Sequence, residues 1–351
     1  MRMGWGGWLR GVVIVVLAWM LSAGGALAQS SAVNEQLEKL RSEGRFAEAI
    51  TVLKQAILAH EAQSGSNDPL RAAMLNNLGE LHYKLELYTE AIPFYERSLA
   101  IAERTIGSDN PVTAITFRNL GIVYQLTGRF AEAETLYRKS IASLEKTPGA
   151  QIQLASTLNN LATLYQDTHR ARDAEPVLRR VLTVYQAGLP PGHLYISTAL
   201  NNLGEFYRER GDLNAAKAMY IAALANLDKT LDRTHPMRVS FLRNLGLLYA
   251  ALNDWPNAVA TLRLAVTILQ KEAIRGAQSR EGELSGLYAT RLPVQRSTNE
   301  EFINAAMKLL TVDQSQGVAL VRDVFLAGQW RPSQAATSLV QMSVRGMKGR
   351  G

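Results

Sequence analysis

Cysteine is absent from the 351 residues, so no disulfide, thiolate metal site or cysteine nucleophile can form in any compartment. Histidine is scarce: His60, His82, His169, His193 and His235 are scattered, and no two share a metal-ligand spacing. No G-x-S-x-G elbow, phosphate-binding Walker loop or dinucleotide glycine fingerprint occurs. A long run of one charge sign is lacking too. Thirty-eight basic residues face 31 acidic ones, a mild excess without the basic stripe that marks nucleic-acid binding. These absences point away from catalysis, cofactors, metals and nucleic acid.

What is present is a chain that is 47% hydrophobic and 20% charged, ample for a substantial core. Its start reads as a targeting segment. Arg2 and Arg10 form a positive n-region, "GVVIVVLAWML" from Gly11 to Leu21 is an apolar core, and Ala26-Leu27-Ala28 has the small-x-small cleavage pattern. The expectation is a cleaved signal peptide over 1–28, with Gln29 as the mature start and export to a bacterial periplasm or the exterior. An uncleaved anchor fits less well, because the apolar run is too short to span a bilayer comfortably. No membrane contact is expected after cleavage.

The remainder repeats. An alanine closes an "xEA" word or its equivalent at Ala49, Ala91, Ala133, Ala174, Ala216 and Ala258, in steps of 42, 42, 41, 42 and 42, which defines six units over 29–275. Within a unit, apolar or small residues fall at i, i+3, i+4 and i+7, as in Leu200, Leu203, Gly204 and Tyr207, which makes one buried stripe on a helix. A turn such as "TGRF" and a second periodic stretch follow, so each unit is a helical hairpin. Pro69, Pro111 and Pro236 open three of the units, each preceded by Asp68, Asn110 or His235. Proline suits the first helical position and Asp or Asn before it can cap the free amides. Two other joints read "TPGAQ" and "LPPGH" and are expected to differ. His82 falls on the core stripe, where a hydrogen-bonded structural role is expected. Tyr124, Tyr165, Tyr207 and Tyr249 are expected in the core.

A stripe of Leu, Gly and Tyr on the first helix and Ala, then Tyr or Leu, then a small residue on the second resembles the tetratricopeptide repeat. The 42-residue period with "NNLG" and "HP" words resembles its kinesin-light-chain type. The resemblance covers Val33 to Glu272 and implies an all-α fold, a right-handed superhelical solenoid of about six hairpins. It departs from the pattern at His82, at Ala162 and in the first unit, whose leading helix lacks the asparagine word and reads as a cap.

One word recurs with particular regularity: Asn77, Asn119, Asn160, Asn202 and Asn244 each stand one residue before the buried leucine. At about 100° per residue this asparagine points about 150° from the centre of the core stripe. The resemblance implies that this side of the first helix lines a groove where asparagines hold the backbone of an extended peptide; an amide offers both donor and acceptor. Neighbouring positions on the same wheel are Asn76, Glu80, Lys84, Arg118, Gln125, Asn159, Gln166, Asn201, Glu205, Arg208 and Arg243. Two roles stay open at this level: contact with a partner peptide, or bonds to adjacent helices that hold the superhelix.

After Glu272 the composition shifts. Residues 276–298 mix Gly, Ser, Arg and proline and read as a linker, separable from the array; 299–351 regain helical periodicity and end in a basic stretch. "FLAGQWRPSQAATSLVQMSVR", Phe325 to Arg345, resembles the helical region that precedes the CHAT domain, a caspase-like peptidase module, in bacterial proteins that join it to tetratricopeptide repeats. In that family a His and Cys dyad follows, which this sequence does not contain, so no peptidase is carried over. Two functions follow as expectations: a non-catalytic scaffold binding a peptide or protein, or the regulatory or truncated arm of a CHAT-type peptidase system.

Overall fold

The computed structural model describes residues 26–64, 68–278, 285–312, 320 and 323. Residues 1–25 of the expected leader, the CHAT-like word Phe325 to Arg345 and the basic end lie outside them. Among the described residues there are thirteen α-helices and no strand. They fall into two compact units that divide between Val184 and Tyr185.

The first unit contains α1 (Ala26–Ser42), α2 (Phe46–Ser64), α3 (Pro69–Lys84), α4 (Tyr88–Thr105), α5 (Pro111–Leu126), α6 (Phe130–Glu145), α7 (Gln151–Asp167) and most of α8 (Ala171–Gly188). The second holds α9 (Leu194–Glu209), α10 (Leu213–Leu227), a 3₁₀ turn (Pro236–Arg238), α11 (Val239–Ala251), α12 (Trp255–Gln278) and α13 (Ser285–Val312). Consecutive helices pair as hairpins, leading helix A with returning helix B, in α1–α2, α3–α4, α5–α6, α9–α10 and α11–α12, and each A helix packs on the B helix before it within its unit.

Every A-to-B turn has one design. The second residue after the A helix takes a left-handed conformation: Gly44, Gly128 and Gly211 in three hairpins, and Glu86, His169 and Asn253 in the others, with φ between 57° and 80°. Its N–H and the next one bond back to the helix carbonyls, as Gly128 does to Gln125 and Arg129 to Tyr124, which satisfies the last turn. Asp68 and Asn110 cap their helices by accepting from Leu70 N at 2.8 Å and Val112 N at 2.9 Å. His235 and His193 do the same through Nδ1, accepting from Met237 N and Tyr195 N at 3.2 Å. The "LPPGH" joint is therefore capped after all, while the "TPGAQ" joint has no side-chain cap at Ala150.

Inside each hairpin the closing alanines, Ala49 through Ala258, are fully buried. In the second, third and fifth hairpins the glycine of the A helix is the seat of an aromatic ring from the B helix, and in the sixth Gly246 faces Leu262. A Cβ on Gly79, Gly121 or Gly204 would stand 2.9, 2.7 or 2.5 Å from the ring of Tyr95, Tyr137 or Tyr220. A buried hydroxyl adds a clip: Ser98 donates to Ala72 O at 2.6 Å and Ser140 to Ala114 O at 2.7 Å. In the fifth hairpin the clip is reversed, with Ser197 of the A helix donating to Ala223 O of the B helix at 3.0 Å. His82 is buried, its Nδ1 2.8 Å from Leu78 O and its ring against Phe94.

The linker reading of 276–298 needs correction. Residues 276–278 end α12 and 285–298 belong to α13. The cause is the apolar periodicity further along, which carries the helix backward through a region of unfavourable composition. Phe302, Ile303, Ala305, Ala306 and Leu309 of α13, with Leu320, close a buried cluster on Ala258, Val259, Leu262 and Val266 of α12. Residues 302–309 and Leu320 thus cover the last hairpin.

Candidate functional site

The asparagines lie where consecutive A helices meet, and the structure divides them into two kinds. In the first unit Asn119 Nδ2 donates to Asn76 Oδ1 of the preceding A helix at 3.1 Å. In the second, Asn244 Nδ2 donates to Asn201 Oδ1 at 3.0 Å. Each is a rung between neighbouring A helices, and Asn201 is only 5% exposed. Asn77, Asn159 and Asn160 in the first unit and Asn202 in the second are half-buried, and none makes a side-chain hydrogen bond within its unit among the described residues. Their amides are reachable and uncommitted.

Around the first-unit rung sits a charged cluster. Arg118, beside Asn119, reaches only its neighbour's Oδ1, at 3.3 Å. It is half-buried; burial lowers its pKa, and the field of Glu80 works the other way. Glu80 also lies 3.7 Å from Arg41 Nη2. Beneath them the Tyr95 hydroxyl is held protonated to high pH, by burial first and by the negative field of Glu80 second. Gln125 accepts from the Tyr137 hydroxyl at 2.9 Å and donates to Asp167 at 2.6 Å. Lys84 lies 6.0 Å from the Tyr83 ring.

The second unit carries a related cluster on α9. Glu205 accepts from the Tyr220 hydroxyl and from Arg208 Nη2 at 2.7 Å, so Arg208 is held by a carboxylate on its own helix. Arg243 is engaged as well: Nε donates to Glu301 Oε2 at 2.7 Å and Nη2 to Oε1. Glu301 was missed by sequence reasoning because it falls beyond the last 42-residue step. The signal that could have found it is the word "FINAA", Phe302 to Ala306, which matches "LRNLG", Leu242 to Gly246, at a longer spacing. Among the described residues no group of three or more acidic or histidine side chains could hold a metal ion, and no helix is long and apolar enough to cross a membrane.

These features define a class: arrays of helix hairpins whose A helices carry polar side chains at one recurring position. The family model for the tetratricopeptide repeat matches in overlapping spans at residues 40–103, 70–146, 114–187, 153–229 and 195–271. The chain belongs to the tetratricopeptide-repeat family. Among solved structures it is similar to BtubC (BKLC) from P. vanneervenii, with 21% identity over 68% of this chain and 95% of that one and a TM-score of 0.56. It is also similar to kinesin-light-chain-type TPR-like repeats from Podosopora anserina, 21% identical over 57% of this chain and 96% of that one, TM-score 0.51. The C-terminal part of a TPR repeat-containing protein from Cytophaga hutchinsonii aligns over 87% of this chain and 98% of that one, with 13% identity and a TM-score of 0.52. At such identities the likeness concerns the fold. A search of curated proteins gave no match.

Proposed function

We propose that the chain is a non-catalytic interaction scaffold that holds a peptide or protein partner on the asparagine-bearing faces of its A helices. The observation that carries this reading is the division of the asparagines. Two rungs explain why Asn119 and Asn244 recur, but the same word also supplies the half-buried Asn77, Asn160 and Asn202, which bond no neighbour within their units among the described residues. An amide that offers a donor and an acceptor suits a peptide backbone of any sequence. Arg118 adds a preference. Its guanidinium has five N–H donors and one long bond, so a partner carboxylate would complete it with charge-assisted bonds.

The test begins with a partner cross-linked and identified from the source organism's envelope fraction, then purified for titration. Replacing Asn160 and Asn202 by Ala is expected to weaken binding about five- to 150-fold, from about 0.5 to 1.5 kcal/mol per lost bond, with melting unchanged. Unchanged affinity in a stable double variant would overturn the reading. The envelope is chosen on the leader pattern, which supports export; an intact mass starting at Gln29 tests that point. A second reading, an arm of a CHAT-type peptidase system, rests on the word Phe325 to Arg345 alone. A neighbouring reading frame with a caspase-like His and Cys dyad would favour it.

A further inference from the structure

The two asparagine rungs join helices that start in different ways. In the first unit the rung between Asn76 and Asn119 links α3 and α5, which open on Asp68 and Asn110, side-chain oxygens that accept from Leu70 N at 2.8 Å and Val112 N at 2.9 Å. In the second unit the rung between Asn201 and Asn244 links α9 and α11, and there the caps are imidazoles. His193 Nδ1 accepts from Tyr195 N at the start of α9, and His235 Nδ1 accepts from Met237 N in the 3₁₀ turn that leads into α11, both at 3.2 Å.

A carboxylate or amide oxygen remains an acceptor throughout the neutral and mildly acidic range. An imidazole does not. Its ordinary proton uptake is centred near pH ~6.5, and in the imidazolium both ring nitrogens are donors, so turning the ring over restores no acceptor. The proton also brings positive charge to a helix start, where the backbone dipole is already positive. Beside the first joint the charged side chain is Lys229, its Cβ 3.1 Å from where a Cβ on Gly192 would stand; the Tyr195 ring lies edge-on to His193 with centroids 4.7 Å apart, and Tyr185 packs on Tyr195. At the second joint Asp232 and Arg233 precede His235, and the buried Arg238 follows it, held by Asp228 at 2.6 Å. None of these charged groups hydrogen-bonds either imidazole.

The first unit has a histidine of the opposite sense. His60 Nε2 lies 3.1 Å from Asp68 Oδ2, the second oxygen of the carboxylate that caps α3, and its side chain is only 14% exposed. The neighbouring Glu61 and Arg71 pair with each other. A proton on His60 turns its hydrogen bond into an ion pair. His82 and His169 stand outside the contrast: His82 Nδ1 meets the Leu78 carbonyl, a contact that imidazolium keeps, and His169 is exposed in a turn.

We infer that the second unit carries a pH-sensitive device at its joints: protonation of His193 and His235 releases the starts of α9 and α11, while the joint into α3 in the first unit tightens. The folded joints use the neutral rings at 193 and 235, so releasing them takes up protons. Their contribution is complete above the ordinary histidine range and is lost as pH falls through it. The device goes beyond the scaffold reading and does not depend on it.

The test is amide hydrogen exchange of the full chain without any partner at about pH 7.5 and about pH 5.5, which bracket the ordinary histidine value and stay above the carboxylate values. Rates are divided by the intrinsic rate at each pH. Protection in the first turns of α9 and α11 is expected to fall about two- to thirty-fold at the lower pH, the range of a lost helix cap, while that of α5 holds and that of α3 holds or rises. His193→Asn combined with His235→Asn gives both joints the acceptor that Asn110 already provides, and should abolish the fall. His60→Gln should remove any rise at α3 and leave the response of α9 and α11 as it was. No fall at α9 and α11 in the parent chain, an equal fall at all four helix starts, or a fall that persists in the doubly substituted chain would overturn the device.

Discussion

Glu86 occupies a backbone position that three sister hairpins give to glycine. Its φ is 61°, in the left-handed region where a Cβ crowds the following carbonyl at a cost of roughly 1–2 kcal/mol. The side chain is exposed and lies between the exposed Leu85 and Leu87. Glu86→Gly is therefore expected to raise stability in urea by about 1 kcal/mol, less the extra freedom that glycine gives the unfolded chain. The reverse change, Gly128→Glu, should cost a similar amount, since a Cβ at Gly128 meets nothing within 4 Å and only the backbone term acts. Equal urea midpoints for both variants and the parent would refute the assignment of strain. At this scale the sequence was half legible. The helical wheel turned the asparagines away from the hairpin core, but a wheel contains one helix, and Asn76, Asn201 and Arg243 meet their partners on the next. Asn119 bonds Asn76 while Asn160 follows Arg118 and stays free; both asparagines carry the same word.

At the scale of elements, hairpin boundaries were legible because the period, the closing alanine and the capping residues all agree. What the period could not reveal is why glycine recurs inside a helix, where it is unfavourable by roughly 1 kcal/mol relative to alanine. The answer lies in the opposing helix: Tyr137 places its ring where the Cβ of residue 121 would stand, 2.7 Å away. In the fourth hairpin alanine replaces the glycine, at Ala162 opposite Leu178, while the sixth keeps Gly246 because Leu262 Cγ would stand 2.6 Å from its Cβ. Gly121→Ala is thus expected to destabilise the chain by about 1–3 kcal/mol through overpacking, despite its better helix propensity. Adding Tyr137→Leu to Gly121→Ala should recover part of the loss, and a double-mutant cycle by thermal melting reads the coupling. Additive costs would sink the account. The helical stretch of 285–298 was illegible for a related reason, since its glycine, serine and proline content is outweighed by the burial of Phe302, Ile303 and Leu309 later in the same helix.

For the whole molecule, the same tyrosine logic repeated along the chain sets its response to alkali. Burial pushes up the hydroxyls of Tyr95 and Tyr137 in the first unit, and of Tyr185 and Tyr220 in the second. Tyr124 is pushed up to about 12 by burial and by its hydrogen bond to Glu96. An unfolded tyrosine ionises near 10, so each of these groups binds its proton more tightly when folded. The stability they contribute is complete below pH ~10 and is lost as pH rises from there through the folded value. Both units carry such groups, so both should weaken together. Melting temperature is expected to fall steeply above pH ~10.5 after accounting for the exposed residues. Absorbance at 295 nm should rise in two steps, the exposed phenols first and the buried ones with the loss of helicity. Tyr124→Phe should remove one phenolate from the second step. If all twelve tyrosines titrate in one step near pH 10 with helicity intact, the phenols do not hold the hairpins as the structure has them.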